Sequence, residues 1–541
     1  MAADAQVHGS APSWRSATLV VAVFGVLYYF NAYVCDDAFI TFRCVDNLVR
    51  DHGLVYNVGE RVQVFTSPLY TLLLSVFYVV VYDRSDVPNP DRIYWLAILL
   101  SFALSAAALL RLRWAYRSQR GFWGLFAILL SSQAFVTFTS SGLETPLTYL
   151  ILVLFYTSFL RSSFLNSERD YFLCFLLTSL GLLNRLDLAF LFLPPVAYAL
   201  TKGWRLLGWR IIRPGLAGFA PLGIWMMLSV IYYGFLLPNS YYAKLGLDVP
   251  RSILTSMGAG YLAKNLTQDP ATLVLCGIAL ALCWRDRRSL LAGLAICLHF
   301  LYVLCLGGDF LGFRFLAPPF LVACISVFHG FSGRYPRALS SGSRYVILAS
   351  LGYGLLVPSS PLRAFQDPPA AHDVAFYYPA SALSRWTPGA RFPFATFLYV
   401  TGPEECDRLR SPEFSVAVWG DGLNAFCRGF RAHLIDPHGV TDPLMARLSL
   451  PIHPPFEPGH LAKPLPVGYV ESVLTAENRI ADRDLSAFYA RLLLLTSGSL
   501  WNSERWHVIL QMNFTSAARY PRHYSFLRSV PAWMRENAGA H

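Results

Sequence analysis

The chain has 541 residues, 55% of them hydrophobic, 15% aromatic and only 14% charged, with a formal charge of +11. A water-soluble globular domain carries about 25% charged residues, so this composition excludes a soluble enzyme held by one anchor. Nucleic-acid binding is excluded by where the basic residues fall: Arg111, Arg113, Arg117 and Arg120; Lys202, Arg205, Arg210 and Arg213; Arg285, Arg287 and Arg288; Arg334, Arg337 and Arg344. These are short loops between apolar runs, the pattern that keeps positive loops on the cytoplasmic side of a membrane.

In chain order, the apolar runs predict spans at 17–34, 66–82, 94–110, 121–140, 146–161, 171–184, 187–200, 214–235, 271–284, 290–306, 315–332 and 345–358. A hydrocarbon core about 30 Å thick needs about 20 helical residues, so some of the shorter runs are expected to be half-spans or interfacial helices. The first run follows Arg15, is long for a signal-peptide core and lacks a small-residue cleavage site, so it reads as an uncleaved signal anchor. Beyond Ser359 proline, charge and histidine rise and no long apolar run returns. The expected fold is an α-helical polytopic membrane protein with about 10–12 membrane helices over 1–358. A C-terminal soluble domain of mixed α/β structure is expected over 359–541.

The basic clusters assign cytoplasmic loops to 111–120, 162–170, 201–213, 285–289 and 333–344. The opposite face then receives S-G-L-E at 141–144, N-R-L-D at 184–187, L-P-N-S-Y-Y-A-K at 237–244, G-G-D-F at 307–310 and the C-terminal domain. Residues 35–65 join that face if 66–82 is re-entrant or interfacial, which is tolerated where backbone lines a cavity, or if the charge rule fails at the 111–120 loop.

The polar motifs on that side supply the candidate chemistry. Asp36 and Asp37 follow the first span in C-D-D-A-F-I-T-F-R-C, with Arg43 and Asn47 at helical spacing. A helix start with first-turn acids explains the pair structurally. A carboxylate at a membrane boundary beside a fixed base also suits proton transfer. Glu60 lies in Y-N-V-G-E-R, Glu144 in S-S-G-L-E-T-P, and Arg185 with Asp187 in N-R-L-D. Tyr241 and Lys244 fit either an aromatic belt with a snorkelling lysine or a phosphate site at a lipid-level entrance. Asp309 and Arg314 follow two glycines that would let backbone approach a ligand.

The ten cysteines include no C-x-x-C pair. Cys35 with Cys44, or Cys406 with Cys427, could bridge on an oxidising side, and sequence leaves the choice open. Zinc-ligand spacing is absent. A calcium or magnesium ion between a carboxylate and a phosphate is compatible with hard oxygen donors, and no cofactor is required by the residues.

Taken in order, D-D-A-F-I-T-F-R, H-G-L-V-Y-N-V-G-E-R, T-S-P-L, S-G-L-E-T-P, N-R-L-D, L-P-N-S-Y-Y-A-K and G-G-D-F-x-x-x-R-F resemble the polyprenyl-phosphate-sugar glycosyltransferases of the C-type (GT-C) superfamily. The likeness is greatest to the terminal arabinofuranosyltransferases of mycobacterial cell walls. G-D-G-L-N-A-F at 420–426 and I-D-P-H-G-V-T-D-P-L-M-A-R at 435–447 extend it into the tail. The resemblance implies a cell-wall transferase of the bacterial inner membrane with its active site and C-terminal domain facing the periplasm. Its donor would be a polyprenyl phosphate pentofuranose, and its acceptor a glycan or glycoprotein. Asp36 and Asp37 would be catalytic. Arg43, Lys244, Asp309 and Arg314 would serve the donor phosphate, and Asn47, Glu60, Glu144, Arg185, Asp187 and Tyr241 would contact substrate. The tail would help to bind acceptor. A related transferase for another lipid-linked sugar such as mannose, or a lipid-linked sugar flippase, remain the alternative readings. The one-sided gathering of polar motifs argues against the flippase.

Overall fold

The computed structural model describes residues 14–82, 90–116, 119–245, 249–309, 311–365, 382–386, 403–420, 422–449, 461–515, 527 and 530. Every span read from the sequence contains a helix. They begin with α1 (Trp14–Asn31), α2 (Asp36–Val49), α3 (Pro68–Val81), α4 (Pro90–Ala115), α5 (Gln119–Ser131), α6 (Gln133–Thr137), α7 (Thr145–Phe159) and α8 (Glu168–Asn184). They continue with α9 (Ala189–Leu207), α10 (Ile212–Tyr233), α11 (Asn239–Leu245), α12 (Arg251–Gln268), α13 (Pro270–Leu282), α14 (Arg287–Leu306), α15 (Ala317–Arg334) and α16 (Pro336–Leu356). Proline opens α3, α7, α13, α15 and α16, where its missing N–H would be unpaired in any case.

By length and apolarity, four described segments can cross a bilayer unaided: Pro90–Ala115, Leu186–Tyr233, Arg287–Leu306 and Arg314–Ser332. Two more qualify only as broken pairs, α1 with α2 and α12 with the segment Pro270–Arg285. The chain is therefore a multi-pass membrane protein. About 10–12 membrane helices were expected, some of them half-spans or interfacial, and Pro68–Val81, Gly121–Ser131 and Thr145–Phe159 are indeed shorter apolar helices. At 1.5 Å per residue the 14 residues of α3 reach only about 21 Å, which is too short to span alone.

The chain divides into two compact units. The first comprises residues 1–35, 97–222 and 252–393. In it α5 packs against α16, α9 against α14, and α15 against α7 and α13. Phe320 through Ile325 of α15 are fully buried, as expected of a helix apolar on every side. The second unit comprises 36–96, 223–251 and 394–541. The division at residue 358 follows composition, whereas compactness groups the tail with two earlier segments. Here a parallel pair, β1 (Ser415–Val418) and β2 (Ala432–Ile435), is joined through a short crossover helix. The described α-helices of the tail are α17 (Pro403–Arg408), α18 (Leu423–Arg428), α19 (Tyr469–Thr475), α20 (Arg483–Thr496) and α21 (Ser503–Phe514). Phe235, Tyr242, Ile435, Leu444, Leu485, Phe488, Leu492 and Ile509 share one core of this unit.

Of the two cysteine couples, Cys406 and Cys427 are bonded, tying α17 to α18 across a separation of 21 residues. Cys44 is a buried thiol, so the Cys35–Cys44 couple does not form. Closing a loop of this length stabilises by about 3 kcal/mol. Cys427→Ser is accordingly expected to lower the melting temperature of the purified protein, and mild reduction of the unaltered protein should produce the same shift. An unchanged melting temperature in both would show that the bridge does not constrain this unit.

Candidate active site

Four non-helical residues, Ala32 to Cys35, precede Asp36, which opens α2 at the start of the second unit. Asp36 Oδ1 accepts the Leu423 N–H at 2.8 Å. The carboxyl also lies directly against Gly422, where any side chain would collide with it. The G-D-G-L-N motif thus supplies a residue without a side chain where backbone must approach the acid. Burial, followed by repulsion from Asp37, raises Asp36 to about 7, against the pull of the Leu423 N–H. An acid so poised changes protonation at working pH, as general acid–base chemistry requires.

Arg43 and Asn47 are used differently from the sequence reading. The Arg43 guanidinium donates to the carbonyls of Tyr56 (2.8 Å), Ala432 (2.6 Å) and Ala425, and lies over the Tyr56 ring. Asn47 Nδ2 donates to the carbonyls of Val55 (2.9 Å) and Tyr56 (3.1 Å). Both hold the 50–57 loop on α2, because a buried donor group must find an acceptor. Both side chains are buried and turned towards backbone carbonyls.

Glu60 is buried beside Asn57, whose Nδ2 donates to it at 3.4 Å, and its carboxyl lies 3.8 Å from His433 Nε2. Burial and then the field of Asp442 raise Glu60 to about 8. Burial, then Arg43, lowers His433 to about 4. Two neutral groups therefore face each other at neutral pH, so this contact is not an ion pair. Asp442, raised to about 7 mainly by burial, accepts from Leu444 N (2.9 Å), Met445 N (2.8 Å) and the Tyr469 hydroxyl (2.7 Å). Sequence reading passed over Asn239, Asp442 and Arg447, although all three stand in the quoted motifs. Asn239 donates to the carbonyls of Gly439, Val440 and Asp442 and accepts from Arg447 at 2.9 Å. Arg447 is sandwiched 4.2 Å from the rings of Phe235 and Tyr242. Tyr241 is exposed and Lys244 half-buried on α11, one on each side of the Tyr242–Ala243 pair that packs into the core.

The first unit gathers the other motifs around one ring. Arg185 donates twice to Asp187, at 2.9 and 2.8 Å, and once to Glu144 at 2.5 Å. Its guanidinium lies 5.3 Å from the centre of Phe315. Arg314 donates to Asp309 at 2.9 Å and lies 5.6 Å from the same ring. S-G-L-E, N-R-L-D and G-G-D-F-x-x-x-R-F therefore meet, as the shared polarity of their positions suggested. The glycines play another part than expected: Gly308, at φ +86°, abuts the Tyr261 ring. His299, a lone histidine in apolar α14 that sequence reading omitted, bonds the Phe315 carbonyl at 2.9 Å. An ionisable group inside an apolar helix was the available signal. Cys35 N–H donates to the Ser141 carbonyl at 3.0 Å, so this unit also holds the segment that leads to Asp36. Among the described residues no group of three or more His, Cys, Asp and Glu side chains is arranged to hold a metal ion.

No protein-family model matches the chain. It is similar to the terminal β-(1→2)-arabinofuranosyltransferase of Corynebacterium glutamicum, 28% identical over 347 residues that cover 54% of this chain and 47% of the relative. It is also similar to the enzyme of that name from Mycobacterium tuberculosis, 29% identical over 248 residues, covering 43% and 38%. Both of these relatives are arabinofuranosyltransferases by name. This chain matches less than half the length of either relative. The solved arabinosyltransferase EmbB from Mycobacterium smegmatis is 15% identical over 60% of this chain and 31% of that one, with a TM-score of 0.35, a likeness that carries no argument about the fold.

Two tests follow from this geometry. Removing Arg185 leaves two buried carboxylates without their partner, a loss on the order of 3–5 kcal/mol. Arg185→Met should abolish folded protein in the membrane fraction, while Arg185→Lys, which cannot grip Asp187 through two parallel bonds, should retain partial yield; equal yields for both would show the fork to be unimportant. The second test concerns pH. Glu60, Asp442 and Asp36 bind protons more tightly folded than unfolded, so they stabilise most at low pH and that stabilisation is lost as pH rises through 7 to 8. Between pH 8 and 6.5, above the range where His433 opposes, the melting temperature should rise on acidification. Glu60→Gln should flatten the slope, and a slope of opposite sign would show these acids to be ionised when folded.

Proposed function

We infer that this chain is an integral-membrane glycosyltransferase. It moves a pentofuranosyl residue, in the simplest reading an arabinofuranosyl residue, from a polyprenyl phosphate to an extracytoplasmic glycan. The observation that carries this reading is Asp36: a half-buried acid immediately past the first apolar helix, held by the Leu423 N–H and raised to about 7. The similarity to two arabinofuranosyltransferases supports the choice of sugar and reaction.

In the proposed reaction the Asp36 carboxylate takes the proton of the acceptor hydroxyl as its oxygen bonds to the anomeric carbon. The anomeric C–O bond to phosphate breaks, and its electron pair leaves with the lipid phosphate. Asp37 keeps the neighbouring charge negative, which makes Asp36 the stronger base. Lys244, a compact cation on α11, is assigned to the departing phosphate. Of the first unit's ion-paired groups, Asp309 and Arg314 are assigned to the donor phosphate, and Glu144, Arg185 and Asp187 to substrate contacts. Glu60 and Tyr241 are assigned to acceptor contacts together with the tail, as an extramembrane domain facing the periplasm. Arg43 and Asn47 are positioning residues that fix α2 and hence the direction of Asp36.

Purified protein incubated with a synthetic lipid-phosphate arabinofuranose and an arabinan oligosaccharide tests this directly, with the product linkage read by NMR. Asp36→Asn should lower turnover by about 10²–10⁴-fold, the usual effect of losing a general base. Turnover of the unaltered protein should rise with pH through a midpoint near 7. Full activity of the Asn variant would remove Asp36 from catalysis, and transfer of mannose but not arabinose would redirect the reading to another lipid-linked sugar.

A further inference from the structure

The last described helix of the second unit, α21, carries large apolar side chains on two sides. Arg505, Val508, Ile509 and Met512 of α21 face inward and are buried. At helical spacing the opposite side carries Ser503, His507, Leu510 and Phe514, with no Asp, Glu, Lys or Arg among them. Leu510 is 57% and Phe514 78% exposed, and Trp501, just before the helix, is 75% exposed and stacks on Trp506. A helix that serves only a water-facing domain has no use for this outer side.

The anchoring of α21 says what covers that side. Arg505 Nη2 donates to the Tyr232 carbonyl at 3.1 Å, and Asn513 Nδ2 to the Gly234 carbonyl at 2.8 Å. The Leu236 N–H donates back to Asn513 Oδ1 at 2.9 Å. Arg505 and Asn513 are eight residues apart, about 12 Å along a helix. Both nevertheless hold the same short segment, where the apolar stretch Leu186–Tyr233 ends. Ile224, Met227 and Leu228 of that stretch are exposed, as lipid-facing side chains are, and Leu236 just beyond it is 42% exposed. The helix is thus tied at both ends to the level where α10 leaves the hydrocarbon. Tryptophan, leucine and phenylalanine at that level match the bilayer's interfacial zone, which takes aromatic and apolar groups together.

We propose that the outer side of α21, with Trp501, Leu510 and Phe514, is a membrane-docking surface that inserts into the headgroup–acyl boundary of the bilayer. It fixes the extramembrane domain at a set height on the lipid. Its partner is the lipid surface itself, engaged through apolar and aromatic contact rather than headgroup charge. The proposal rests on α10 ending at the membrane boundary and is independent of which sugar the chain transfers.

The test uses the full chain in lipid nanodiscs, with the exposed Cys297 and Cys305 replaced by Ser. A fluorophore is attached through Leu510→Cys, Phe514→Cys or, as a control, Glu477→Cys, whose side chain is 68% exposed. Acyl-brominated lipids should quench the labels at 510 and 514 several-fold more than at 477, in neutral and anionic bilayers alike, while aqueous iodide quenches only 477. Iodide access at 510 and 514 equal to that at 477 would overturn the proposal. So would protection from iodide without quenching by the brominated lipid, because the cover would then be protein, either residues 516–541 or a second copy. All three labelled sites are on the surface, so the substitutions leave the core intact.

Discussion

Taking a carboxylate out of water is costly, and the two units of this chain answer that cost differently. In the first unit one guanidinium serves two acids. Arg185 reaches Glu144 and Asp187 from a single planar fork, so each buried charge has a close opposite. In the second unit the acids Asp36 and Asp442 are met by backbone N–H groups. Those dipoles do not fully replace hydration, so burial lifts both acids to about 7. The first arrangement makes rigid structure. The second makes groups whose protonation changes in the physiological range, which is the property a proton-transfer step needs.

Side-chain amides and arginines knit the second unit together by imitating backbone. Asn57 both donates to and accepts from Leu434, as a neighbouring strand would, and so extends β2 by one partner. Asn239 satisfies three carbonyls of the 439–442 turn. Arg43 satisfies three carbonyls from segments far apart in sequence. Motifs that look like scattered loops, Y-N-V-G-E-R, L-P-N-S and I-D-P-H-G-V-T-D-P-L-M-A-R, are thereby one hydrogen-bonded assembly. Buried carbonyls left unpaired would be destabilising, so the same side chains that invite a functional reading are occupied in closing the fold.

That occupancy explains where reading from sequence succeeded and where it misled. The apolar runs mark helices reliably, because an uninterrupted stretch of such residues has no other way to satisfy its backbone in lipid. The acidic start of α2 and the gathering of S-G-L-E, N-R-L-D and G-G-D-F-x-x-x-R-F were likewise legible, since ionisable groups beside apolar helices must find one another. Arg43 and Asn47 misled because spacing on a helix gives a residue's face but not its partner. Their partners are carbonyls of residues 55–56, 425 and 432, which no local pattern announces. Arg447, at the end of a turn, was overlooked for the same reason, whereas His299 inside its apolar helix carried a signal that was passed over.

Composition and patterning by themselves determined that this is a helical membrane protein, where its helices run and which acids stand at a boundary. These depend on transfer from water to lipid, a property each residue carries into any fold. Tertiary structure decided which donors are already taken, which acids are lifted towards neutrality and which cysteines are bonded. Those outcomes depend on desolvation and on partners hundreds of residues away, and neither exists until the chain has packed.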